Sequence, residues 1–426
     1  MPTQTNSVTN LADLVRRHRN SNRPALVFRE TTVTWAELDR QVDQAAAALR
    51  GLGLAEGDRV ALQLPNVPEF PVAYFGALRA GLVAVPVNVA YTGRELAHVL
   101  TDSGARAILT SPASADAAGP AVERVLTTGA AWDALLAGAE GAEVPGTARG
   151  GEDLGVLLYT SGTSGRPRGA MLSHRALLAN LEQCSAIQPP LLGSGDTVLL
   201  VLPLFHIYGL NPGLGMVAWH GATGVLAERF DPHGTVELIA RHRVTVVVGA
   251  PPMYVAWSLL PDLGEPFSHV RLALSGAAPL PGDTLRRLLD TTGHHVFEGY
   301  GLTESGPVLT STLRSEVAKP DSIGRPVPGV ELKLLDDDGD ETDEDDPGQI
   351  WVRGKNLFSG YWPDGSGGPG EDGWWATGDV AYADEDGDLH LVDRLKELVL
   401  VSGFNVYPRE VEDVLAAHAD IEEAAV

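Results

Sequence analysis

Between Val33 and Leu109 the chain alternates short apolar strands with helices, and that rhythm leaves few folds open. Val33-Thr34-Trp35 leads into a helix opened by a capping box, Thr34 to Glu37. That helix runs to about Leu52 and stops at Gly53. Arg59 to Leu64 reads as a strand, a second helix follows Asn66 and ends near Gly81, and Val83 to Val87 reads as a buried strand. Thr92 and Glu95 form another capping box, and Ala107-Ile108-Leu109 closes the unit. Strands that alternate with helices pair in parallel and are covered on both faces.

Residues 112–150 are rich in Ala and Gly and read as irregular surface or a variable connection. Beyond them, Val198 to Leu202, Gly224 to Leu226, Val244 to Val248, Val270 to Leu274 and His295 to Phe297 are strand candidates with helices between. Pro232 and Pro281 fit first helical turns. From about Ser311 short strands and turns dominate, at Val330 to Leu335, Gly348 to Val352 and Gly387 to Val392. The acidic run Asp336 to Asp346 reads as a solvated hairpin tip, and Asp384 to Gly387 as a turn; both miss the ligand spacing of a calcium loop. Leu395 starts a new unit, with a helix over Val411 to Ala417 and a strand beginning at Ile421.

Composition narrows the function. A 44% hydrophobic, 20% charged chain is ordinary for a soluble protein. A net charge of −25 argues against a nucleic-acid or anionic-membrane binder. Cys184 is the sole cysteine, which excludes an internal disulfide and a cysteine metal cluster; it reads as buried filler. The polar first ten residues do not form a secretory signal, and the longest apolar run, Val198 to Phe205, is too short for a bilayer and holds Pro203. The expectation is a cytoplasmic protein with no integral membrane segment and no nucleic-acid partner.

The segment 157–169 carries the chemistry. Val156 to Tyr159 feeds a loop with three glycines (Gly162, Gly165, Gly169), four hydroxyls (Thr160, Ser161, Thr163, Ser164) and two cations (Arg166, Arg168). Glycines let backbone N–H groups approach an anion closely, and the mixture suits a polyphosphate. A flexible surface turn is the plainer alternative. The spacing is not that of a Walker A loop.

Further motifs follow in order: Ser275-Gly276-Ala277-Ala278-Pro279-Leu280, Gly299-Tyr300-Gly301-Leu302-Thr303-Glu304, Thr377-Gly378-Asp379, Asp393-Arg394-Leu395-Lys396-Glu397 and Ser402 to Pro408. With residues 157–169 they resemble the acyl-adenylate-forming superfamily of acyl-CoA synthetases, aryl-CoA ligases, luciferases and adenylation domains, from about Leu11 to the last residue. The resemblance implies an α/β chain. A large AMP-binding domain (1–393) would hold two helix-covered sheets and a β-rich subdomain from about 311. A hinge and the start of a small α+β domain (394–426) would follow. It also implies a two-step reaction. A carboxylate attacks the α-phosphorus of ATP to give an acyl-adenylate and pyrophosphate, and a thiol, usually coenzyme A, then displaces AMP.

Residue by residue, the resemblance implies that Thr160, Ser161, Gly162, Thr163, Ser164, Gly165 and Arg168 cradle the β- and γ-phosphates. Arg168 stands where the family usually has lysine; it keeps the charge and adds a planar fork. Tyr300 would stack on adenine, with Gly276, Ala277 and Ala278 opposite and Gly301 beside it. Thr303 would bond the α-phosphate, Glu304 would hold Mg²⁺, Asp379 would accept both ribose hydroxyls, and Arg394 would also reach the ribose. Lys396 matches the hinge between half-reactions. Taken singly, Tyr300 reads equally as a core aromatic, Glu304 as a helix-start carboxylate and Asp379 as a turn residue; their joint order favours the site.

His206 and Tyr208 lie in an apolar run where amino-acid-activating relatives carry an aspartate for the substrate ammonium. Burying an ammonium without that partner is costly, so the expected substrate is a fatty or aryl acid lacking an α-amino group. His206 would lie beside the acyl site; a hydrogen-bonded core histidine is the alternative. Tyr208, Met216, Val248, Gly276, Gly299 and Val308 would line the acyl pocket. Many acyl-CoA synthetases have lysine where Leu400 stands. The family's adenylating lysine lies beyond Val426, so the 426 residues as written are expected to bind nucleotide and acid but adenylate poorly. The reading is a carboxylic acid–CoA ligase, with a homodimer compatible with it. A ligase that loads a carrier protein and a non-catalytic nucleotide- or acyl-binding protein are the alternatives.

Overall fold

The first strands do not join the sheet that follows them in sequence. The computed structural model describes residues 8–144, 147–160, 167–317 and 319–394, with short pieces at 399–401, 404–406, 411, 414–415 and 421. In it β1 (Pro24–Phe28) and β2 (Thr31–Thr34) pair antiparallel, and β1 runs parallel to the distant strand Thr223–Leu226. Both sequence-marked caps are formed. Thr34 N donates to Glu37 Oε2 at 2.8 Å and Glu37 N donates to Thr34 Oγ1 at 3.2 Å, opening the helix Trp35–Gly51. Thr92 N donates to Glu95 Oε2 at 2.8 Å before the helix Gly93–Ser103. A good N-cap stabilises its helix by about 1 kcal/mol.

Six strands make the first sheet: β3 (Arg59–Gln63), β4 (Val83–Pro86), β5 (Ala105–Thr110), β6 (Arg124–Thr127), β7 (Leu154–Thr160) and β8 (Arg168–Ser173). Their order is β6-β5-β3-β4-β7-β8, parallel throughout except for the β7–β8 pair. The helix Glu69–Arg79 is buried along nearly its whole length, which explains an apolar run without helical periodicity. The expectation of irregular surface over 112–150 is corrected here. β6 extends the sheet's edge and Ala130–Ala137 is a helix that buries Trp132. Four residues of strand in an Ala/Gly-rich stretch carry too little pattern to stand out.

The second sheet begins with β9 (Thr197–Leu200), β10 (Thr223–Leu226), β11 (Val246–Gly249), β12 (Leu272–Ser275) and β13 (Val296–Gly301). All pair in parallel, in the order β10-β9-β11-β12-β13. Their Val/Leu runs are buried on both faces, as parallel strands under helices require. Pro232 opens a helix behind Asp231, whose Oδ2 accepts from Gly234 N at 2.6 Å. Pro281 instead occupies the position just before the helix Gly282–Thr292.

The β-rich part comprises β14 (Val308–Ser311), β15 (Ser322–Pro326), β16 (Val330–Leu335), β17 (Gly348–Gly354), β18 (Trp374–Ala383) and β19 (Leu389–Arg394). These strands are antiparallel, and β14 bonds to β13, so the β-rich region continues the second sheet to thirteen strands. The acidic run is the tip of the β16–β17 hairpin. A separate antiparallel pair, β20 (Val399–Val401) and β21 (Phe404–Val406), lies beyond. Among the described residues no helix is long and apolar enough to cross a membrane.

Candidate active site

Ligands of open α/β sheets collect at the carboxyl ends of the strands. Here β11, β12 and β13 end at one place, where the parallel strands give way to antiparallel ones, and a cavity of about 800 Å³ opens there. Thr160, Arg168, His206, Gly276, Ala277, Tyr300, Gly301, Thr303, Glu304 and Asp379 all line it. Ala278 is exposed and lies off its wall. The backbone of Arg394 pairs with Asp379 across β18–β19. Ser161, Gly162, Thr163, Ser164, Gly165 and Lys396, and the side chain of Arg394, lie outside the described residues.

Two hydroxyl–carboxylate pairs organise the polar side. The Tyr300 hydroxyl donates to Asp379 Oδ2 at 2.7 Å, with both residues largely buried. The Tyr361 hydroxyl donates to Glu304 Oε1 at 2.7 Å. Burial and the adjacent Glu304 charge raise the Tyr361 phenol above its ordinary range, so it remains a donor. The Arg168 guanidinium carbon lies 3.8 Å from the centre of the Tyr361 ring, a cation–π contact.

Thr303–Pro307 is a short helical turn and connection leading into β14, and such a segment holds its shape only when its backbone is satisfied. Three buried asparagines do this. Asn211 Nδ2 donates to Gly306 O at 2.7 Å, Asn356 Nδ2 to Ser305 O at 2.8 Å, and Asn180 exchanges two bonds with Val308. Phe358 N donates to Glu304 O at 2.8 Å. The turn after β12 is held by Glu298, whose Oε1 accepts from Leu280 N at 2.9 Å. Ala277 there has φ +75°, a left-handed backbone that costs an L-residue roughly 1–2 kcal/mol and is typical of functional turns. Asn66 fixes the approach to His206: its amide donates to Leu200 O and Leu202 O at 3.0 and 2.9 Å and accepts from Leu204 N at 2.9 Å.

The cavity continues between Ile187, Leu191, Leu192, Met216 and Val248. Cys184 is buried at this wall, and burial pushes its thiol up to about 12. Tyr208, Gly299 and Val308 share the same lining. His206 sits at the border between polar and apolar parts; solvent reaches it, yet the surrounding protein lowers its pKa, so it is neutral at pH 7. Its Nδ1 accepts from Tyr208 N at 3.3 Å.

Gly276 packs against Tyr208 in the cavity lining. A Cβ at this position would stand 3.1–3.2 Å from the Tyr208 ring and hydroxyl. Gly276→Ala is expected to push the ring by a few tenths of an ångström, an overpacking cost of about 1 kcal/mol. A thermal scan should show Tm lowered by only about 1–2 °C.

Sequence reading passed over Tyr361 and the three asparagines. Gly360-Tyr361-Trp362 was the available hint, an aromatic pair behind a glycine. The asparagines stand in apolar surroundings where a polar amide needs a reason.

The AMP-binding enzyme family matches residues 15–362. The chain belongs to that family. It is 36% identical to the long-chain-fatty-acid–CoA ligase of Yersinia pestis, over 96% of this chain and 80% of that protein. It is 37% identical to the feruloyl-CoA synthase of an Amycolatopsis species, over 97% of this chain and 84% of that one. Among solved structures, ATP-bound MatB from Rhodopseudomonas palustris superposes with a TM-score of 0.90 at 34% identity, covering 98% of this chain and 85% of that chain. The mixed α/β architecture of this AMP-binding enzyme is thus that of the ligases it resembles.

Proposed function

We propose that this AMP-binding enzyme is an AMP-forming carboxylic acid–CoA ligase. ATP and a carboxylic acid give an acyl-adenylate and pyrophosphate; coenzyme A then takes the acyl group and releases AMP. The observation that carries this reading is one cavity with two ends. One end presents Tyr300–Asp379 and Arg168–Tyr361–Glu304, and the other is apolar and joined to the first at His206 and Gly276.

In this reading the Tyr300 ring supports adenine and Asp379 accepts the ribose hydroxyls. Thr303 donates to the α-phosphate, while Thr160, Ser161 to Gly165 and Arg168 hold the outer phosphates. Glu304 suits Mg²⁺: it is a hard oxygen donor, 7% exposed, with Oε1 held by Tyr361 and Oε2 bonded to none of the described residues. No cluster of three metal-ligating side chains exists among the described residues, which fits a cation that takes its other ligands from ATP phosphates and water. When bound, the cation would neutralise phosphate charge. Chemistry of this kind needs mainly positioning and charge neutralisation. Neutral His206 borders the acyl carboxylate and adds no charge that would hold it back from the phosphorus.

The run around His206 and Tyr208, which lines the cavity, is apolar and offers no aspartate for an ammonium, which supports a fatty or aryl acid. A cytoplasmic setting and assembly as a homodimer belong to the same proposal. A panel of aliphatic, aryl and α-amino acids, scored for AMP release with coenzyme A present and run on the full-length protein that carries the adenylating lysine, tests it. Fatty or aryl acids are expected to react and α-amino acids to stay at background. Release of AMP with amino acids alone would defeat the substrate assignment, and acyl transfer only to a carrier protein would replace the acceptor.

A further inference from the structure

Tyr361 lies on a strap, residues 359–362, laid along the outer edge of β8. Ser359 N donates to Met171 O at 2.9 Å, Met171 N to Gly360 O at 3.0 Å and Trp362 N to Gly169 O at 2.8 Å. Trp362 Nε1 donates to Asp102 O at 2.9 Å and anchors the strap's far end to the helix Gly93–Ser103. Gly360 has φ +92°, and a Cβ there would fall on the Gly365 carbonyl, so the backbone that presents Tyr361 tolerates only glycine before it. Phe358 packs edge-on to the Tyr361 ring, with centroids 5.1 Å apart. The phenol is therefore fixed in place before any ligand arrives.

From that position it touches two opposite charges. Its ring face meets Arg168 from the edge of the first sheet, and its hydroxyl meets Glu304 from the loop after β13. Neither Arg168 nor Glu304 has an ion-pair partner within 4.0 Å among the described residues. A direct Arg168–Glu304 pair would spend the charge of both on each other. The guanidinium would then be lost to the phosphates and the carboxylate to a cation.

We propose that Tyr361 is a positioning residue that keeps this pair apart: its ring holds Arg168 and its hydroxyl holds Glu304 Oε1, so each charge faces the nucleotide. The inference rests on reading Glu304 as the Mg²⁺ ligand. Oε1 is occupied by the phenol, which leaves Oε2 for the cation in a single preset orientation.

Binding of a fluorescent N-methylanthraniloyl-ATP, titrated with Mg²⁺, reads this without turnover. Tyr361→Phe keeps the ring and removes the hydroxyl. It should raise the half-saturating Mg²⁺ about tenfold, while metal-free nucleotide affinity, acid affinity and Tm stay near wild type. Tyr361→Leu removes the shelf under Arg168 as well and should lower metal-free affinity about threefold more. Glu304→Gln should abolish the Mg²⁺ enhancement. If Glu304→Gln does so while Tyr361→Phe titrates like wild type, the role of Tyr361 is refuted and the Glu304 reading stands. If Glu304→Gln leaves the Mg²⁺ dependence intact, both fall together. A Tyr361→Phe variant that loses Tm and acid affinity in step with Mg²⁺ dependence is merely destabilised, which also refutes the positioning role.

Discussion

Asp379→Ala should weaken ATP and AMP binding by at least a hundredfold, the largest loss expected from any single side-chain removal in the site. Asp379 is 5% exposed on the cavity wall and fixed by the Tyr300 hydroxyl at 2.7 Å. Its two oxygens can accept from vicinal ribose hydroxyls at once, and a hydrogen bond to a charged group contributes about 1.5–3 kcal/mol. The substitution also leaves the Tyr300 hydroxyl without its carboxylate, so the proposed shelf for adenine should loosen in the same step. Calorimetric titration with ATP and with 2′,3′-dideoxy-ATP isolates the cause. The native protein should discriminate between the two by the full factor, and Asp379→Ala should bind both alike. Persistent discrimination by the variant would remove Asp379 from the ribose site.

The second large effect comes from a methyl group. A Cβ on Gly301 would fall on the carbonyl oxygen of Pro307, and the obstacle is backbone. That backbone has no room to yield: Leu302 N donates to Pro307 O at 3.2 Å, and the Ser305 hydroxyl bonds to the same oxygen. Gly301→Ala must open the turn that carries Thr303 and Glu304. Overpacking of this kind costs about 1–3 kcal/mol and occasionally more. Expected are a Tm lower by several degrees and a nucleotide affinity reduced more than thirtyfold, in contrast to Gly276→Ala, whose obstacle is a ring that can tilt. A thermal scan with and without MgATP measures both. Wild-type stability together with wild-type ATP affinity would show that the loop is looser than its hydrogen bonds indicate. By resemblance Gly301 was placed at the nucleotide; the structure adds that it lines the cavity and abuts Pro307.

Local signals in the sequence were legible where local forces decide the outcome. Both capping boxes form because a threonine and a glutamate three residues later need only each other. Most apolar strand cores appear within a residue or two of their observed bounds, because buried parallel strands need unbroken apolar runs; β13 is the exception, running on to Gly301 past the expected end at Phe297. What stayed hidden depends on distant partners. Nothing near Pro24–Phe28 announces that it pairs with Thr223–Leu226. Nothing near Val308 shows that β14 welds the β-rich region to the parallel sheet. Tyr361 and the asparagines Asn180, Asn211 and Asn356 acquire their meaning from chain segments far away. Motif order brought Tyr300, Glu304 and Asp379 to one cavity wall, and packing supplied the residues that hold them still.

The segment around residues 157–169 joins two antiparallel strands, with Thr160 opposite Arg168. In nucleotide folds where a strand passes through such a loop into a helix, the helix macrodipole lends about half a unit of positive charge to the phosphates. Here the strand β8 follows instead, and strand dipoles largely cancel. In the proposed site, phosphate charge is then met by discrete donors and mobile ions. Nucleotide affinity in this protein should accordingly track magnesium and ionic strength more steeply than in a site with a helix aimed at its anion.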